Sequence, residues 1–231
     1  QFACDEFVRE TPMDPRLDKE SMQALAIEVE QAKRSLSIRP KAPLTVQHAG
    51  RRKTFSIDQE YFELLSSDLV SRCEQITRQI LTDLLERYAY HGFAAVCSFG
   101  TDMGELPFQM RDEIIPNAAL YRTVGRGLAY PGSGPADPSR NDVPYAVTTE
   151  AEARAAVREL APLKPDFVKI WVDDRSGTKQ KLTPPLFRAA ADEARKLGFR
   201  SVAHVFDLAD AKELLRAGVE GFTHMVRDQP V

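Results

Sequence analysis

Long apolar runs are what this sequence most plainly lacks. None approaches the roughly 18 consecutive residues needed for a membrane-crossing helix, so no membrane partner is expected. Charge of one sign is lacking too: 31 Lys and Arg stand against 34 Asp and Glu, a net charge of −3, which gives no field to draw the chain to nucleic acid. Cysteine is scarce. Cys4, Cys73 and Cys97 are odd in number and far apart, make no metal-ligand pair and no disulfide framework, and fit a reducing cytoplasm. Each reads as a small core residue. The opening QFACDEFVRE has no basic segment followed by an apolar one, so no secretory leader is expected. It also lacks a starting Met and reads as helix, so we expect the natural N-terminus to lie elsewhere. What remains is ordinary globular composition, 43% hydrophobic and 28% charged over 231 residues, enough for one large domain or two small ones.

The rhythm of the chain changes once. Residues 18–38 carry apolar side chains at Met22, Leu25, Ile27, Val29, Ala32 and Leu36, close to helical spacing. LTVQHAGRRKTFSI then alternates about Ala49-Gly50, which predicts a β-hairpin. Residues 56–92 form a long amphipathic pattern, with Ser56 as the expected cap, Tyr61, Leu64, Leu65, Leu69, Ile76 and Leu84 as its apolar face, and Gly92 as its stop. Beyond Gly92, strands and helices alternate. FAAVCSFG, ALYRTVGRGLA, PDFVKIWVDD, RSVAHVFD and EGFTHMV are the five expected strands. Helices are expected over 148–163, over 183–198 with Thr183 as cap and Gly198 as stop, and over 208–218. Such alternation means a parallel sheet with helical crossovers. The Gly- and Pro-rich stretch 130–144 reads as a loop over one end of that sheet. The expected fold is therefore α/β: an incomplete (β/α) barrel of about five parallel strands over 82–231, preceded by a small α+β helix-hairpin-helix subdomain over 1–81.

Three of these strands carry a ligand-type residue towards the carboxyl end: Lys169, His204 and His224. Parallel strands of a barrel present those ends to one mouth, where sites are built. One histidine on an apolar strand is an ordinary core residue. Two at matching places in consecutive units, with a lysine one unit earlier, point to a site.

From about residue 82 to the end the sequence resembles the amidohydrolase superfamily, metal-dependent hydrolases on a (β/α) barrel. ERYAYHGFAAVCSFGTD looks like the segment around the family's second strand, with GFAAV in place of G-T-T-V. DFVKIWVDD resembles the strand bearing a bridging lysine, and GFRSVAHVFDLADAKELLRAGVEGFTHMVRD resembles the two histidine strands. The resemblance implies a divalent metal, zinc above all, held by Lys169, His204 and His224, with Lys169 carboxylated. It also implies a small amide or peptide substrate whose C–N bond is hydrolysed. The chemistry is coherent. A neutral, desolvated lysine takes up carbon dioxide as an anionic carbamate, neutral imidazoles suit zinc, and paired metals acidify a shared water.

The family pattern also requires a His-x-His pair and a late Asp. The four histidines, His48, His91, His204 and His224, contain no such pair, and no Asp after His224 has a strand to end. Asp102, Asp173 and Asp174 lie near strand ends without matching the family's catalytic Asp. The chain alone is therefore expected to hold one metal's worth of ligands and to be weakly active or inactive. Its open sheet edges would favour self-association or a complementing chain.

The first 81 residues show no first barrel strand. EVEQAKRSLSI, the hairpin and FSIDQEYFELLSSDLVSRCEQITRQIL resemble an upper subdomain of the ATPase domain of the seventy-kilodalton heat-shock chaperones. Their pattern E-x-A-K-x-x-L-S is met by Glu30, Ala32, Lys33, Leu36 and Ser37. The resemblance implies that Glu30, Lys33, Arg34 and Ser37 face the adenosine end of a nucleotide and that this part touches exchange-factor proteins. Glu30, Lys33 and Arg34 also fit a solvated helix face with internal ion pairs. The phosphate-binding glycine loops of that family are absent, so ATP or ADP is not an expected ligand. The chain reads as a chimera of two fragments, with a non-catalytic, chaperone-like nucleotide- or protein-binding module as the alternative to a hydrolase.

Overall fold

The computed structural model describes residues 1–135, 138–140 and 142–228. Its chain folds into two compact units, Gln1–Ile76 and Thr77–Val231.

In the first unit, α1 (Phe2–Val8) precedes α2 (Lys19–Leu36). Asp18 starts α2 by accepting the Ser21 N–H at 3.0 Å, a side-chain cap for an otherwise orphaned donor. Strands β1 (Lys41–His48) and β2 (Arg51–Asp58) pair antiparallel in register Leu44 to Phe55. Ala49 and Gly50 between them have φ of 50° and 75°, the left-handed pair that a two-residue hairpin of this twist demands. Leu25, Ala32 and Leu36, spaced along one stripe of α2, pack with Phe7, Leu44 and Val46 in one small core. Ile27 and Val29, expected in that stripe, face outward.

The long helix α3 (Gln59–Tyr90) departs from expectation in two ways. Strand β2 runs on through Ser56 to Asp58, and Asp58, not Ser56, caps the helix by accepting the Tyr61 N–H at 2.9 Å. Its predicted apolar face is exposed: Leu64 and Leu69 are 67% and 62% accessible, and Tyr61, Leu65, Ile76 and Leu84 are exposed as well. Leu85 is the one buried side chain of α3. Amphipathic spacing marks a face able to be buried, but only a partner buries it. Cys73, expected in a core, lies on this exposed helix, whereas Cys4 is buried.

In the second unit, β3 (Ala95–Ser98) pairs parallel with β4 (Leu120–Thr123), after which the chain breaks stride through Val124–Gly127 before β5 (Leu128–Ala129). The single predicted strand ALYRTVGRGLA is therefore two, because Gly125 adopts φ 65°, outside extended backbone. A parallel sheet of five strands has the order β6-β5-β7-β8-β9, with β6 at Tyr145–Ala146, β7 at Val168–Val172, β8 at Ser201–Val205 and β9 at Gly221–Phe222. Five parallel strands were expected, but β6 takes a place assigned to FAAVCSFG. EGFTHMV is strand only at its start, where β9 pairs with β8. Between Ala129 and Tyr145 the chain forms no strand among the described residues, with a short 3-10 turn at Pro138–Arg140. Residues 136, 137 and 141 of that expected loop lie outside the described residues.

Helices α5 (Glu150–Leu160), α6 (Pro184–Lys196) and α7 (Leu208–Arg216) are the crossovers, and α4 (Leu106–Asp112) precedes β4. A capping box, with Thr149 accepting from Glu152 and Glu152 accepting from Thr149, opens α5. Thr183 stands at the start of α6 without a side-chain cap bond. Prolines 184 and 185 fix its first turn, where a missing N–H is harmless. Ala189, Ala190, Ala191 and Ala194 are buried, and their small side chains let α6 lie close on β7 and β8.

Two glycines set the height of the other sheet face. A Cβ at Gly127 would fall 2.3 Å from Trp171, and one at Gly100, where φ is +103°, would fall 2.5 Å from it. Only a bare backbone fits there. Trp171 is the chain's one tryptophan, so its emission reports on this packing. Gly127→Ala should shift that emission and lower stability by about 1–3 kcal/mol in denaturant unfolding. Unchanged emission and stability would show that the ring has room to move.

Candidate functional site

Side chains of a strand alternate between faces. In β7, Val168, Ile170 and Val172 join the helix-covered core, which leaves Lys169 and Trp171 on the opposite face. The register of β7 with β8 sets Trp171 beside His204, so His204 shares that face. Thr223, just past β9, donates its N–H to the Ala203 carbonyl at 2.9 Å and so stays in line with β8. Lys169 is the second residue of its strand rather than near the carboxyl end, but its long stem lets Nζ donate to Thr223 Oγ1 at 2.9 Å. The amine is buried between the rings of Trp171 and Phe99, 5.4 Å and 5.8 Å from their centroids. Burial alone lowers its pKa to about 7, since the ammonium loses water without gaining an anion.

His204 and His224 meet edge to face, ring centroids 4.2 Å apart. Their contacts form a line. Asp173 Oδ2 lies 3.1 Å from His204 Nε2, His204 Nδ1 lies 2.7 Å from His224 Nε2, and His224 Nδ1 lies 3.0 Å from the Met225 carbonyl. Each of these three contacts needs one proton to be a hydrogen bond. Two neutral imidazoles carry two protons. With His204 Nε2 and His224 Nδ1 both protonated, the outer contacts are hydrogen bonds to oxygens that can only accept. In that arrangement the inner pair, His204 Nδ1 and His224 Nε2, is two lone pairs facing each other; moving one proton inward makes the inner contact a hydrogen bond and leaves one outer contact without a proton. A third proton is resisted at His204, whose pKa burial lowers to about 4 despite the Asp173 hydrogen bond, with His224 and Lys169 adding to the drop. Two converging imidazole lone pairs, one backed by a carboxylate, are the donor set a divalent cation takes.

Asp173 and Thr223 were not singled out as partners from sequence. The only signal was the Asp-Asp that follows an apolar strand. The other strand-end aspartates are engaged elsewhere. Asp102 Oδ2 accepts from Tyr121 at 2.7 Å and from Thr123 at 2.5 Å. Asp174 accepts the Gly177 N–H at 3.0 Å and pairs with Lys181 at 3.3 Å. Among the described residues no group of three or more His, Cys, Asp or Glu side chains has the geometry of a metal cage.

The residues picked for a nucleotide lie on α2. Glu30 pairs with Lys33 at 2.8 Å and Arg34 at 3.0 Å, and the bonds from Lys33 and Arg34 hold its carboxyl below the usual range. Ser37 ends the helix, its N–H donating to the Arg34 carbonyl. All four side chains are exposed or half-buried.

Residues 1–86 match the family model described as Hsp70 protein. Among solved structures the fold is similar to an amidohydrolase (TM-score 0.53, 20% identity, 67% of this chain and 43% of that one). It is also similar to a prolidase complexed with N-methylphosphonate-L-proline (0.51, 18%, 63% and 41%) and to A. niger ochratoxinase (0.51, 14%, 63% and 39%). The chain spans about two fifths of the length of each. These likenesses establish a shared fold. No curated protein matches the chain.

The lysine makes a testable demand on stability. Its pKa is about 7 folded and about 10.4 unfolded, so between those values the unfolded chain binds more protons and stability rises with pH. Below pH 7 both states are protonated and the burial penalty is full. In chelator-treated protein and carbon-dioxide-free buffer, stability should increase from pH 7 to pH 9 by on the order of 2 kcal/mol relative to Lys169→Met. Parallel pH profiles for the two proteins would show that the amine is not desolvated.

Proposed function

We propose that this chain carries part of the site of a metal-dependent hydrolase of amide-type C–N bonds, on a partial (β/α) barrel. The observation that carries this is the proton shortage along Asp173, His204, His224 and the Met225 carbonyl, which a cation between the two rings relieves. Residues His204 and His224 would hold it through the facing nitrogens, and carboxylated Lys169 would add an oxygen ligand, a set suited to zinc. When bound, such a cation supplies an acidified water and polarises the scissile carbonyl.

The chain's own residues do the rest. With a cation between the rings, Asp173 would hold His204 in the Nε2–H form and the Met225 carbonyl would hold His224 in the Nδ1–H form. Thr223 keeps the Lys169 amine aimed along the sheet face. Above pH 7 that amine is largely neutral and its lone pair can attack carbon dioxide: the N–C bond forms, one C–O π pair moves onto oxygen, and one proton leaves nitrogen for solvent. The product is an anion at a place where an ammonium is disfavoured. Without a His-x-His pair and a late Asp, the chain alone would turn over slowly or not at all. The sheet edges β6 and β9, two residues each, are where a complementing chain or a second copy would pair.

Zinc content after equilibration and desalting tests this. The full chain should retain near-stoichiometric zinc, the double variant His204→Ala, His224→Ala should retain none, and Asp173→Asn should bind 10- to 100-fold more weakly. Equal and negligible zinc in all three would sink the proposal.

A second reading has its own support in the Hsp70 match over residues 1–86: a chimera whose first part is a non-catalytic nucleotide- or protein-binding module. Limited proteolysis separates the two. A resistant fragment of residues 1–85, with the remainder digested, favours the module. Protection of the remainder by added zinc favours the hydrolase.

A further inference from the structure

Helix α3 is bare over its middle. Phe62 packs against the small core of the first unit and anchors the start of the helix, but from residue 67 to residue 76 every side chain is exposed. A stretch so solvated gains nothing from tertiary packing, which supplies most of the stability of a helix. It is nevertheless not polar all round. Leu65, Leu69, Arg72 and Ile76 follow one another at steps of four, three and four residues, the spacing of a coiled-coil seam. Leu65, Leu69 and Ile76 are exposed, and exposed Leu64 and Val70 flank them. A contiguous apolar stripe of this kind marks an interaction surface.

The stripe carries its own electrostatic complement. Asp68 and Arg72 are both exposed, and neither makes an ion pair among the described residues. Charge also fixes the direction in which two such helices can meet. Residues 59–68 hold Glu60, Glu63 and Asp68 but no Lys or Arg. A parallel pair would set these acids side by side and Arg72 against Arg72, which like charges resist. An antiparallel pair centred between Val70 and Ser71 sets Leu65 against Ile76 of the second copy and Leu69 against its Arg72. Asp68, next to Leu69, then lies beside that same Arg72, and the two-fold axis repeats the contact. Apolar residues cover one another, and the cation in each seam meets a carboxylate.

We propose that this stretch of α3 is a docking surface for a second copy of the chain, antiparallel and two-fold, closed by Leu65–Ile76 contacts and by Asp68–Arg72 ion pairs across the axis. The surface is separate from the sheet edges β6 and β9, and the inference does not rest on the hydrolase reading.

Analytical ultracentrifugation of the full chain, at rising concentration and with chelator present, tests this. The chain should pass from monomer to dimer, and Leu65→Glu should abolish the dimer. Asp68→Arg sets arginine against arginine, and Arg72→Asp sets aspartate against aspartate, each twice. Either variant alone should therefore dimerise about tenfold more weakly. An equal mixture of the two should recover the original affinity as a heterodimer, because both ion pairs re-form with their ends exchanged. All three positions are exposed, so circular dichroism should be the same for every variant. A chain that stays monomeric at every concentration overturns the proposal. So does a dimer that Leu65→Glu and both charge variants leave unchanged, which is the behaviour of pairing through the sheet edges. A mixture that associates no more tightly than its components overturns it as well.

Discussion

Three contacts run in a line from Asp173 through His204 and His224 to the Met225 carbonyl, and they have one proton too few. Both outer contacts end on an oxygen that can only accept, and the imidazoles possess two protons for the three contacts. With both protons at the ends, the middle is two facing lone pairs 2.7 Å apart. In water such a frustrated contact would part and hydrate. Here the strand register holds it: Trp171 pairs with His204, and Thr223 stays bonded to Ala203. The sheet thus presents a pair of nitrogens to which a third proton is not readily added, since burial lowers the pKa of His204 to about 4. The same face keeps the Lys169 amine dry and largely neutral above pH 7. Desolvation sets both features, and both make the face receptive to a cation or to electrophilic carbon dioxide rather than to protons.

The packing beneath that face explains why it can be so dry. Gly100 and Gly127 leave room for the Trp171 ring and the Lys169 stem, and five consecutive buried residues make up β7. The helices on the far side, α5, α6 and α7, cover Val168, Ile170 and Val172. A parallel strand covered on both faces tolerates a lysine only if its amine has a hydrogen-bond acceptor and can shed its charge. Thr223 Oγ1 provides the first and a lowered pKa the second.

Much of the fold was legible in the sequence, and the exceptions share a cause. Helices α5, α6 and α7 and strands β7 and β8 stood out because period, capping and flanking Gly and Pro agree there. The short length of β9 and the break between β4 and β5 did not. Their lengths depend on which neighbour they pair with, and on Gly125 leaving the extended region, neither of which periodicity reports. The apolar stripe of α3 was legible as a stripe, but its exposure was not, because burial is a property of two surfaces. At the site, His204, His224 and Lys169 were visible as residue types at repeating positions. Asp173 and Thr223 were not, because a carboxylate after a strand and a threonine beside a histidine are common, and only register brings them to those side chains. Glu30, Lys33 and Arg34, picked from a motif, are satisfied by one another.

Nitrogen-15 NMR of the imidazoles, recorded through a zinc titration, tests the proton count most directly. The account predicts that at saturating zinc His204 is protonated at Nε2 and His224 at Nδ1, with the largest zinc-induced shifts at His204 Nδ1 and His224 Nε2. Spectra in which His204 Nδ1 or His224 Nε2 keeps a proton at saturating zinc, or in which zinc moves neither ring, would contradict it.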